Sequence, residues 1–338
     1  MSTSKSTRSF LALLSASAML LLPRQATAVT YDVSSSGDGM DLSDAMALAG
    51  PGDIVSLADG TYDQALVSVT SGESGSPITV VGSTGAIING VYSSRTVLIQ
   101  HSYISLKGFT VEGQIGSSSD SEGYVDKCVY VQGAGSLLDG FVMEDMVIQN
   151  CGSECIRLKD GVVNAQIIGN TIENCGIYDY QFDFGDKNGE GIYIGTATSQ
   201  WTDGPDECKD NLVQGNVIST NGNECVDIKE GATGNIVEDN ICSDQLDENS
   251  GCFDSRGDDN TFRYNVGSNC LGAGVRLGGH EVDGYEYGQG NNVYGNDFTN
   301  VGVGAIKVET SEQGDICGNT CEDGTCGVTG CVHRRRSL

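Results

Sequence analysis

The 338-residue chain carries 46 acidic against 18 basic residues, a net charge of −28. That balance excludes the broad cationic surface that nucleic acid or an anionic membrane would select. Thirteen cysteines point to an oxidising compartment, and the odd number leaves one thiol free or paired with another chain. Forty-eight Gly, four Pro and 7% aromatics imply many tight turns around an aliphatic core.

Residues 1–28 read as a secretory signal peptide. Lys5 and Arg8 form a basic start, Phe10 to Leu22 is apolar, and Ala26-Thr27-Ala28 is a small-residue cleavage site. About a dozen apolar residues fall short of the roughly 20 that span a bilayer, so membrane insertion is not expected and the product is extracellular. The remaining chain, from near Val29, keeps 15 basic and all 46 acidic residues, a net −31. A polyanionic substrate stays possible, because a local basic patch or a bound Ca²⁺ reverses the field at one site.

Asp41 to Ala49 is predicted as a short capped helix, suited to closing the open apolar end of a stack. Short strands with Gly or Asn punctuation follow at 51–62, 77–90, 95–113 and 136–150. From about residue 150 the chain repeats itself. One half-unit is an apolar strand with a recurring Asn: Asn170, Asn216, Asn240, Asn265, Asn296 and Asn319. The other is a shorter strand: ECIRLKDG (154–161), EGIYIGTA (190–197), ECVDIKEG (224–231), GCFDSRGD (251–258), GAGVRLGG (272–279) and GAIKVETS (304–311).

A period in the low-to-mid twenties is too short for two helices and does not suit the antiparallel hairpins of a propeller or sandwich. It fits one turn of a coil whose strands bond in parallel to the next turn. The predicted fold is therefore all-β: a single-stranded right-handed parallel β-helix over 29–325, with an N-terminal capping helix. Residues 326–338 form a Cys-containing basic tail ending in HRRRSL. The recurring Asn is read as scaffold, tolerating left-handed backbone angles and hydrogen-bonding up the stack. Cys317, Cys321, Cys326 and Cys331 are expected to staple the far end. Cys151/Cys155 and Cys317/Cys321 have zinc-like spacing, but no His lies beside either pair, so disulfides are preferred.

Alternation along the shorter strands makes Ile156/Leu158, Ile192/Ile194, Val226/Ile228, Phe253/Ser255, Val275/Leu277 and Ile306/Val308 inward pairs. One outward column then runs Arg157, Tyr193, Asp227, Asp254, Arg276, Lys307, and the next Lys159, Gly195, Lys229, Arg256, Gly278, Glu309. With rungs about 4.8 Å apart, Lys229 neighbours Arg256 and Asp227 neighbours Asp254. Adjacent cations are expected to lower the lysine pKa, and adjacent carboxylates to invite a cation. The plainer alternative is a solvated face with a cross-rung pair such as Lys229–Asp254. Cys225 and Cys252, with Cys155, are assigned to a third outward column, with a Cys225–Cys252 bridge expected. Long excursions at 176–188, 198–210 and 280–290 carry Tyr178, Tyr180, Phe182, Phe184, Trp201, Tyr285 and Tyr287, suited to stacking on sugars or to packing on one another.

PGDIVSLADGTY, PITVVGSTGAIING, ECVDIKEGATGNIVEDN and CFDSRGDDNTFRYN resemble the pectate-lyase-like β-helix superfamily, more narrowly polysaccharide lyase family 6, the chondroitinase B and alginate lyase group. Related secreted β-helix repeat proteins share segments like GEGIYIGTA and VDIKEG. The resemblance implies Lys229 as the base that removes the proton α to a uronate carboxylate and Arg256 beside the leaving oxygen. It implies Ca²⁺ held by Glu224, Asp227 and Asp254. The group's Asn-Lys-Ser is Asp227-Ile228-Lys229-Glu230 here, and its Arg-His-Gly is Arg256-Gly257-Asp258. Arg157, Tyr193, Arg276, His280 and Trp201 are the candidates for binding the polymer. The expected function is a monomeric, secreted lyase of a polyuronate; the alternatives are a non-catalytic glycan-binding β-helix and a glycoside hydrolase using Asp227 and Asp254.

Overall fold

The computed structural model describes residues 27–90, 95–185, 187–202, 204–310, 312–322 and 324–326. The basic and apolar parts of the signal peptide, Cys331 and the HRRRSL tail lie outside the described residues. The chain winds as a right-handed parallel β-helix with three long sheets. The first has eleven strands from Thr30–Val33 to Ile316–Cys317, and the second eleven from Gly60–Asp63 to Gly324–Cys326. The third has nine, from Leu66–Val67 to Ile306–Val308. A typical coil places Leu212–Gln214 in the first sheet, Val217–Ser219 in the second and Val226–Ile228 in the third.

Strands of two to six residues cannot bury a face alone. Stacking solves this: each backbone bonds to the coils before and after it, and alternate side chains meet inside. Val213, Val237, Phe262 and Val293 form one interior column, and Ile172, Ile218 and Cys242 another, all buried. Each fully buried aliphatic side chain contributes roughly 1.5–3 kcal/mol. The third-sheet register pairs Ile156, Ile192, Val226, Phe253, Val275 and Ile306 in succession, as alternation predicts. At the N-terminal end the helix Leu42–Leu48 is capped by Asp41, which accepts the Ser43 N–H at 2.9 Å. It buries Leu42, Ala45 and Met46 over the open end.

The predicted Asn ladder is present. Each Nδ2 donates to the next Oδ1, from Asn170 through Asn216, Asn240, Asn265 and Asn296 to Asn319, at 2.8–3.0 Å. A second ladder, Asn211–Asn235–Asn260–Asn291, stands at the turn from third to first sheet. The expected left-handed backbone does not fall on the Asn. It falls on the residue before it: Gly169, Gly215, Asp239, Tyr264, Gly295 and Gly318 have φ of 56–69°. That residue turns the chain, so the following Asn points inward and satisfies the turn's polar groups.

The cysteine reading needs correction. Cys225 and Cys252 face inward, and they bond to Cys242 and Cys270 rather than to each other. Alternation fails there because both sit at the entry to the third sheet: Cys225 immediately precedes the strand Val226–Ile228, and Cys252 is the second residue of Gly251–Ser255. The same entry into the sheet carries Cys128–Cys151 and Cys155–Cys175, so both members of the zinc-spaced Cys151/Cys155 pair are spent on disulfides. A Cβ at Gly267 would lie 2.9 Å from the Cys252 sulfur and 2.8 Å from the Phe298 ring, which explains the missing side chain on that rung. Cys321 and Cys326 are bridged at the C-terminal end, and Cys317 is also in a disulfide. Among the described residues Cys208 is the free thiol, buried.

Candidate active site

The outer face of the third sheet brings the predicted polar columns into register. Arg157, Tyr193, Asp227, Asp254, Arg276 and Lys307 are successive partners. Lys229 and Arg256 follow directly after the paired Ile228 and Ser255, on adjacent rungs. Although they point away from the core, Arg157, Tyr193, Asp227, Lys229 and Asp254 are all buried, so their charges need partners.

Lys229 pairs with Asp227, two residues back on its own strand. Its Nζ lies 4.5 Å from the Tyr193 ring centroid, while the Arg157 guanidinium packs on the same ring at 3.9 Å. Arg157 in turn bonds Glu154 at 2.6 Å. The expected lowering of the lysine pKa is not found. Burial and Arg256 disfavour the ammonium, but Asp227 and its neighbours outweigh them and hold Lys229 above the ordinary lysine range. The cross-rung pair on this face is Arg276 with Asp254, at 2.7 Å, and Arg276 also reaches Glu309 at 2.8 Å.

Arg256 lies 3.5 Å from Oε1 of the fully buried Glu230, and that same oxygen bonds Nδ1 of His280. The 280–290 excursion thus returns His280 to the Arg256 rung. This excursion forms a small hairpin, Glu281–Val282 with Tyr285–Glu286. Its neck is tied by Asp258, which accepts the N–H groups of Gly288 and Gln289 at 2.7 and 2.8 Å.

The acidic group differs from the expected set by one member. Glu190, Glu224 and Asp227 each offer an oxygen within 4.8 Å of the others, whereas Asp254 is engaged by Arg276 and by Ser250 at 3.2 Å. Glu190 was legible in outline: Glu154, Glu190 and Glu224 open three successive shorter strands. Burial pushes the Glu190 carboxyl up to about 7, against the pull of Lys229. Burial, then Asp227 and Glu190, raises Glu224 well above the carboxylate range. Burial raises Asp254 too, offset in part by Arg276. Glu224 Oε2, Asp227 Oδ1 and Asp254 Oδ1 are buried without a hydrogen-bond partner. Within the Glu190–Glu224–Asp227 cluster, two carboxylates therefore carry an unsatisfied oxygen, which fits the oxygen-rich ligation that Ca²⁺ prefers. A cluster of sulfurs from Cys242, Cys252 and Cys270 also occurs, but all three are in disulfides.

Toward the N-terminal side, a cleft of about 650 Å³ is lined by Lys159, Thr196, Trp201, Pro205 and Asp206 among others. Its wall is pinned by Asp206, which accepts from the N–H groups of Asp160 and Gly161 at 2.9 and 3.0 Å and from the Thr196 hydroxyl at 2.7 Å. Trp201 Nε1 donates to the Thr196 carbonyl at 2.8 Å, and its ring meets Tyr287 edge-on. Much of the loop aromatic surface is spent on such contacts: Tyr178 stacks on Phe184, and Tyr285 meets Tyr287 edge-on. Phe184 and Tyr285 remain exposed.

These features define a right-handed parallel β-helix. An alginate lyase from Paenibacillus sp. str. FPU-7 superposes with a TM-score of 0.73 at 21% identity, over 88% of this chain and 96% of that one. Pectate lyase Pel9A gives 0.60 at 14% identity, over 87% and 80%. The periplasmic alginate epimerase AlgG gives 0.50 at 12% identity, over 80% and 61%. At these identities the likeness is one of fold. No protein-family profile matches the sequence, and no curated protein does.

Proposed function

We propose that this chain is a secreted β-helix enzyme, folded as one unit over 29–325, that cleaves a uronic-acid polysaccharide by β-elimination. The observation that carries the reading is the placement of Lys229 and Arg256 on adjacent rungs beside buried carboxylates with unsatisfied oxygens. Lys229 removes the proton α to the uronate carboxylate, and Arg256 stands beside the leaving oxygen. Tyr193 and Arg157 form the floor next to the base. Arg276 and the Trp201 cleft extend the binding face to either side. Glu190, Glu224 and Asp227 would hold Ca²⁺, with Asp254 at the edge of the group. Bound there, Ca²⁺ supplies positive charge that neutralises the uronate carboxylate and offsets the carboxylates now holding the Lys229 proton.

A non-catalytic glycan-binding β-helix is the second reading. It is favoured by the closed Lys229–Asp227 pair, since a base must be free of its proton. The two are separated by incubating the protein with alginate, polygalacturonate, and chondroitin or dermatan sulfate, with and without Ca²⁺. Ultraviolet absorbance from unsaturated ends that is lost in Lys229→Ala supports the lyase. Binding without product moves the assignment to the glycan-binding reading, and new reducing ends without absorbance to a hydrolase.

A further inference from the structure

β-Elimination needs two proton transfers: one from carbon to the base, and one to the oxygen that leaves. Arg256 serves the second poorly, because a guanidinium keeps its proton in proteins, and burial here is outweighed by Asp227 and Glu230 in holding it charged. His280 lies beside it. Its Nδ1 is taken by Glu230, the carboxylate that Arg256 also contacts. Nε2 has no hydrogen-bond partner among the described residues, and the side chain is 53% exposed. Glu230, fully buried, is held at the base of the site. The His280 carbonyl accepts the Tyr287 N–H at 3.1 Å, so the neck of the hairpin, itself tied to Asp258, fixes the backbone behind the ring. The carboxylate bonded to Nδ1 keeps that proton in place and aims Nε2 outward, so the proton the ring can give is the second one, carried on Nε2 of the imidazolium.

We propose that His280 is the proton donor to the leaving sugar oxygen, with Glu230 its positioning residue. The inference rests on the lyase reading and completes it. Neutral Lys229 takes the proton on the carbon α to the carboxylate, and a carbon–carbon double bond forms toward the neighbouring carbon. The bond from that carbon to the glycosidic oxygen breaks with its electron pair, and Nε2–H of the His280 imidazolium protonates the oxygen. Lysine and imidazole then return to their starting states by proton exchange with water. No oxidant, reductant or water molecule is consumed.

Leaving-group dependence tests this directly. Elimination is measured on the polymer and on an oligouronide whose leaving oxygen belongs to a nitrophenol, which departs without a proton. His280→Ala should slow the polymer reaction by about 100-fold or more, the usual worth of a positioned acid, yet change the nitrophenol substrate only a few-fold. Added imidazole should restore part of the polymer rate. Glu230→Gln should show the same substrate asymmetry in weaker form, and Lys229→Ala should be slow on both. Equal losses on the two substrates in His280→Ala, or no loss on the polymer, would overturn the assignment. If wild-type protein eliminates neither substrate, the lyase reading itself fails, a result distinct from either.

Discussion

Replacing Glu190 with Gln should stabilise the cation-free protein, even though Glu190 lies in the heart of the site. The carboxyl is buried and pushed up to about 7 from an ordinary 4.5. Between those two values the folded chain binds a proton that the unfolded chain has released. Stability therefore falls as pH rises through this window, and the full cost is reached above about pH 7. A rise of that size corresponds to about 3 kcal/mol at pH 8. Gln carries no charge at any pH, and its carbonyl can keep the 2.9 Å bond from the Gly189 N–H. Urea unfolding followed by circular dichroism in a chelating buffer should show Glu190→Gln more stable by roughly 1–3 kcal/mol at pH 8, with the gain gone by about pH 4.5. Added Ca²⁺ should raise the wild-type midpoint and leave the variant nearly unmoved. A variant less stable than wild type at pH 8, or an equal gain at both pH values, would refute the buried-charge argument.

Asn240→Ala should cost about 3 kcal/mol or more, because it breaks the ladder on both sides and leaves buried donors unpaired; the urea midpoint reads this. Trp201→Ala should raise KM on the polymer more than it lowers kcat, since the ring lines a cleft to one side of Lys229; steady-state kinetics separates the two. Peptide mapping without reduction should recover Cys225–Cys242 and Cys252–Cys270. Cys208, buried and held well above the ordinary thiol range by burial and by Asp206, should resist alkylation until urea unfolds the chain.

The architecture was legible because it repeats. Six recurring Asn and six shorter strands set the period, and alternation then assigned the Arg157–Lys307 column correctly, rung by rung. Alternation holds only once a strand is under way, however, and not at its first residues. There it misdirected Cys225 and Cys252, whose side chains point into the core. It also could not say which carboxylate goes with which cation. Asp254 belongs to Arg276 because the arginine reaches across one rung, and Lys229 closes instead on Asp227 of its own strand. Glu190 was hidden in plain repetition, since an acid before a strand reads as a solvated corner until its burial is known. His280 depended on how an excursion folds back, which no local spacing encodes.

The central claim is that Lys229 drives β-elimination of a uronate polymer. Mass spectrometry of the fragments tests it most directly, with wild type and Lys229→Ala compared on the polymer that responds best in the absorbance screen. Each cut by the wild type should leave one fragment with a new unsaturated end, lighter by one water than hydrolysis would give, and Lys229→Ala should leave none. A digest in which every fragment has full hydrolytic mass, with none lighter by one water, or unsaturated fragments that persist in Lys229→Ala, would contradict it.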